Sequence, residues 1–129
     1  MSKRKSQSEH DSMVESVANY LVSQNYRNVK ADLKGWDEPK EIKWKGSENG
    51  HIPDVTGEKE NDHNILVEVE TADSIFDQHT EDQWKLFSAF AGLKSYEFWV
   101  IVPEESVDNA EKRADNLDVE ATVFYLTDE

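Results

Sequence analysis

Ile65-Leu66-Val67-Glu68-Val69-Glu70 decides how the rest of this chain is read. Three consecutive apolar residues, then Val69, mark a strand at the centre of a sheet. A strand with one wet face would alternate; this one starts as a continuous apolar run, the pattern of a strand covered on both sides. Two glutamates interrupt it at its C-terminal end. A strand repeats every two residues, so Glu68 and Glu70 share one face.

The second central strand is Phe98-Trp99-Val100-Ile101-Val102, closed by Pro103. Between the two, Ile75, Phe76, His79, Gln83, Leu86, Phe87 and Phe90 lie near one face of a helix running from Ser74 to about Gly92, with Gly92 as its stop signal. A strand–helix–strand unit implies a right-handed crossover between locally parallel strands. Downstream come a surface helix over residues 106–117 and a last strand over 121–126. Upstream, Ser8 caps a helix to about Gln24, whose apolar face is Met13, Val14, Val17, Ala18, Leu21 and Val22. Val29, Ala31 and Leu33 then alternate with polar residues as a half-buried strand. Residues 41–45 suit a second edge strand with Ile42 and Trp44 on one face, and 52–56 a short strand. Pro53 restricts that last strand to an edge, a start or a bulge. The early strands read as an antiparallel meander. The fold class is therefore α/β, with a mixed central sheet flanked by helices in the order α-β-β-β-α-β-α-β. Residues 8–129 form a single domain behind a flexible basic tail at 1–7.

The chain has 129 residues, enough for one core, and no cysteine. Thiolate metal sites and disulfides are thereby excluded, and a reducing, cytoplasmic setting fits. No apolar run is long enough to span a bilayer, so no membrane role is expected. Formal net charge is -14. It is unevenly spread: residues 1–50 carry nine Lys/Arg and eight Asp/Glu, while residues 51–129 carry five and twenty. An anionic partner must therefore be met by the first half. Such acidity is also what a strongly salted cytoplasm selects.

Asp54 precedes Glu68 by fourteen residues and sits beside a turn. A hairpin between the strands that carry them brings Asp54, Glu68 and Glu70 together. Converged carboxylates repel one another, and a hard divalent cation, Mg²⁺ or Mn²⁺, relieves the repulsion. The competing reading is a solvated acidic strand end, common in so acidic a chain.

Pro53-Asp54, followed by Glu68-Val69-Glu70 at the end of a hydrophobic strand, then a helix and the strand 98–102, resembles the restriction-endonuclease-like superfamily. These are the PD-(D/E)xK nucleases, including archaeal Holliday junction resolvases and Mrr-type enzymes. The resemblance implies a metal-dependent nuclease hydrolysing DNA phosphodiesters, with Asp54 and Glu68 as metal ligands. It also implies a first-helix acid, for which Glu15 is the best match and Asp11 and Glu9 are rivals. The superfamily places a lysine two residues after the second acid. Glu70 stands there instead, as an extra ligand or a general base. Lys85 is a candidate for the missing positive charge. Gln83, four residues before Phe87, resembles the Gln-x-x-x-Tyr helix motif of RecB-like members, and His79 shares its face as a second substrate contact. His51 borders the same run. Lys43 and Lys45, with Lys34, Lys40, Trp36 and Trp44, form a basic and aromatic stretch suited to nucleic acid. The alternative function is a catalytically inactive nuclease-fold protein, acting as a homodimer or as a subunit bound to a protein partner in a DNA complex.

Overall fold

A computed structural model describes residues 7–60 and 63–126. The elements are α1 (Gln7–Ser23), β1 (Arg27–Ala31), β2 (Val55–Glu58), β3 (Ile65–Val69), α2 (Gln78–Lys94), β4 (Glu97–Val102), α3 (Val107–Leu117) and β5 (Thr122–Tyr125). The strand order is β1-β2-β3-β4-β5. The first three strands are antiparallel neighbours, and β3, β4 and β5 run parallel. This is the expected mixed sheet in the expected element order, consistent with the coarse architecture of restriction-endonuclease-like folds. Apart from Gln7, which opens α1, the tail read at 1–7 lies outside the described residues. Among the described residues, no helix is long and apolar enough to cross a membrane.

Side-chain period two divides the sheet between two cores. Ile65, Val67 and Val69 of β3 pack with Val14, Val17, Ala18 and Leu21 of α1. Leu66 of β3, with Val100 and Val102 of β4, packs against Trp84, Phe87 and Ala91 of α2 and Ala110 and Ala114 of α3. One helix thus covers one face and two cover the other. Both faces of β3 are dry, which is why its sequence is continuously apolar. Gly57 lets α1 close over β2: a Cβ there would stand 3.3 Å from Leu21 and Tyr26.

Three local expectations are corrected. Residues 41–45 are not a strand. Ile42 makes one antiparallel bridge with His51, and Trp44 is 54% exposed. The reason is the close return of the chain at Gly50, where a Cβ would lie 2.1 Å from the Ile42 carbonyl oxygen. That crossing fixes one bridge and leaves Trp44 outside. Helix α2 starts at Gln78 rather than Ser74, because residues 71–77 are consumed in turns. It ends at Ser95 in the left-handed conformation, whose N–H returns to the Ala91 carbonyl, and not at Gly92.

Candidate functional site at the end of β2 and β3

The β2–β3 ladder stops just where Pro53 removes a donor. Its last paired residues are Val55 and Val67. Beyond them Asp54 continues the pairing by other means. Its N–H donates to the Val67 carbonyl at 3.1 Å and to Glu68 Oε1 at 3.0 Å. Its own Oδ2 accepts the Val69 N–H at 2.7 Å. The two acids are therefore interlocked, each side chain taking a main-chain N–H of the other strand. Both are withdrawn from solvent, Asp54 at 9% and Glu68 at 2% exposure.

Helix α1 contributes His10, which the sequence reading passed over. Its Nε2 lies 3.2 Å from Asp54 Oδ2, and its Nδ1 lies 3.1 Å from Asp11 Oδ1. Both partners are acceptors, so a doubly protonated imidazolium satisfies both contacts. The signal was its position: His10 precedes Val14, Val17 and Leu21 on the buried stripe of α1. A polar residue on such a stripe needs a polar partner. Glu15, the first-helix candidate, is on the exposed side of α1 and is not brought to Asp54. Asp11 contacts His10, and Glu9 is exposed.

Asp32 is joined to the cluster through its main chain. The Asp32 N–H bonds the Asp54 carbonyl at 2.9 Å. Burial pushes the Asp32 carboxyl above its ordinary 3.8. The negative charges of Asp54, Glu38 and Asp11 push it the same way, against a smaller opposing effect of His10.

Glu70 is built into something else. It is fully buried. Ser74 Oγ donates to its Oε1 at 2.6 Å, and Trp84 Nε1 donates to its Oε2 at 3.3 Å. Thr80 Oγ1 also approaches Oε1, at 3.5 Å, but its single proton is better placed on the Ser74 carbonyl, 2.7 Å away. The Thr71 N–H donates in turn to Ser74 Oγ. The turns at 71–77 and the start of α2 thus wrap one carboxylate with protein donors.

The remaining candidates have contacts of their own. Lys85 is exposed and pairs with Glu81 at 2.8 Å, one turn back on α2. His79 stacks edge-on against His51, with ring centroids 5.1 Å apart, and His51 also meets Phe87. Burial, then His79, pushes the His51 imidazole below 6.5. Gln83 is buried, with an Oε1 that has no hydrogen-bond partner among the described residues. Lys43 and Lys45 are exposed in the loop before Gly50.

The donors can be tested against a divalent cation. Among the described residues, no three His, Asp or Glu side chains converge to hold an ion together. Mg²⁺ does not require three: it keeps several waters and takes one or two carboxylates. Asp54 and Glu68 supply that number. Glu70 does not fit, because Ser74 and Trp84 engage both of its oxygens. The chain matches no protein-family model, no curated protein and no solved structure.

Proposed function

We propose that this protein is a metal-dependent nuclease acting on DNA phosphodiesters, with Asp54 and Glu68 as its metal-holding pair. The observation that carries the reading is the interlock of two buried carboxylates at the end of neighbouring strands, in a sheet of the expected order. Mg²⁺ or Mn²⁺ held there would lower the pKa of a bound water and offset charge on the phosphate. The chain's own residues set the geometry. The Val69 N–H and His10 fix the Asp54 carboxylate from two directions, and the Asp54 N–H orients Glu68. Glu70 is a brace that holds the turn after β3 against α2. The test is cleavage of single-stranded, duplex and branched DNA with Mn²⁺. Activity abolished by Asp54→Ala and by Glu68→Gln supports the reading. Inactive wild-type protein, or equal cleavage by Glu68→Gln, overturns it.

One observation favours a second reading, a catalytically inactive nuclease-fold subunit of a protein or DNA complex. The position that holds a lysine in the superfamily is here a caged glutamate, and Lys85 faces Glu81. Under that reading the interlock is purely structural. Mn²⁺ then leaves the melting temperature of wild type and Asp54→Ala equally unmoved.

A further inference from the structure

In a chain with twice as many acidic as basic residues, a lysine is expected to have a carboxylate beside it. Among the described residues Lys85 alone of the lysines has one in a salt bridge, and four of the others gather in one place. Lys30 of β1, Lys40 and Lys43 of the following loop, and Lys94 at the end of α2 line a single groove of about 640 Å³. None of the four forms a salt bridge among the described residues. The two glutamates of the same groove are turned to neutral donors: Glu58 accepts from the Asn28 side chain, and Glu41 from the Gly50 N–H. The groove thus carries four lysines against two glutamates, an excess of two positive charges.

The groove has aromatic walls as well. Phe90 and Tyr96 line it, half-buried and edge-to-face, with ring centroids 5.3 Å apart. It also runs along the sheet toward the carboxylates. Thr56 and Leu66 lie in it, two residues from Asp54 and Glu68 on the same strands. At about 3.3 Å per residue, each step is roughly 7 Å.

We infer that this groove binds a single strand of nucleic acid, with Lys30, Lys40, Lys43 and Lys94 on its phosphates and Tyr96 and Phe90 against an unpaired base. Ammonium groups along a trough neutralise successive phosphates, and aromatic rings stack on any base they meet. A duplex keeps its bases stacked on one another, so aromatic rings lining a groove select for a single strand. The inference rests on the nuclease reading for its biological sense, but it stands or falls by a separate measurement.

That measurement is fluorescence anisotropy of a labelled single-stranded oligonucleotide and its duplex, at graded salt and in EDTA to prevent cleavage. Wild type is expected to bind the single strand more tightly. Affinity should fall with salt along a log–log slope of about -2 to -3, for three or four phosphates each contributing about 0.7. The double variant Lys43→Glu/Lys94→Glu should weaken binding tenfold or more. Lys112→Glu makes the same kind of charge change on α3, outside the groove, and should bind within twofold of wild type. A melting curve shows that each variant is folded. The inference is overturned if wild type fails to bind at 50 mM salt, if the double variant binds as wild type does, if Lys112→Glu weakens binding as much, or if duplex is preferred. Asp54→Ala keeps the groove, so it should still bind the strand. Binding without cleavage leaves the groove intact and removes the nuclease reading. Cleavage unaffected by the lysine variants does the reverse.

Discussion

Glu68 in β3 and Glu70 just past its end are two residues apart, and the protein treats them in opposite ways. Glu70 meets a hydroxyl and an indole N–H contributed by the segment that follows it, so its oxygens are consumed within the fold. Glu68 meets the main chain of Asp54, with Asp32 and His10 gathered around that residue. One carboxylate is surrounded by donors and the other shares its neighbourhood with acids. Neutral donors stabilise a buried acceptor and leave nothing for a ligand to do. Neighbouring acids raise the Asp32 pKa, and a cation beside them works the other way, as His10 does here. Identical side chains thus become a brace and a candidate ligand through what surrounds them.

The largest effect that can break this contrast is on stability. Glu70→Ala leaves Ser74 and Trp84 without their acceptor in a dry region, and should cost about 3–5 kcal/mol, read from urea unfolding. A loss under about 1 kcal/mol would mean that the cage is not a brace. Asp54→Ala should cost less, about 2 kcal/mol, for the orphaned Val69 N–H and His10. The same order is expected from thermal melts.

A third test reads the crowding directly. The Asp32 carboxyl is raised by burial and by Asp54, so its titration, followed by NMR, should move down in Asp54→Asn and stay put in Glu70→Gln. The sign for stability follows. A carboxyl whose folded pKa is raised adds stability only while protonated: fully below about 3.8, and lost as pH rises through the folded value. Asp32→Asn should therefore raise the melting temperature slightly at pH 7 and not below pH 3.8. The smallest effect is expected at Lys85. Its pair with Glu81 is exposed and one turn apart, and Lys85→Ala should cost under about 0.5 kcal/mol, with no change in any activity.

Much of this architecture was legible because it rests on periodicity. The apolar runs of β3 and β4, the stripe of α1 and the strand–helix–strand order are local patterns with one physical reading. The pairing of Asp54 with Glu68 was legible too, since a hairpin leaves little choice of register. Residues 41–45 misled because Ile42 and Trp44 alternate like a strand, while the deciding contact is a close main-chain approach at Gly50. The start of α2 misled because Ser74 is a good helix-capping residue that the fold spends on Glu70 instead. His10 was missed because its partner is 44 residues away. The cage around Glu70 was equally hidden: Trp84 reads as an ordinary core aromatic until its N–H is seen to have a destination.

We propose Asp54 and Glu68, and not Glu70, as the metal-holding pair. The direct measurement is the melting temperature of wild type, Glu68→Gln and Glu70→Gln with and without millimolar Mn²⁺. Mn²⁺ is expected to raise the melting temperature of wild type, to fail to do so in Glu68→Gln, and still to do so in Glu70→Gln from a lower starting point. A rise that survives Glu68→Gln and disappears in Glu70→Gln would contradict it.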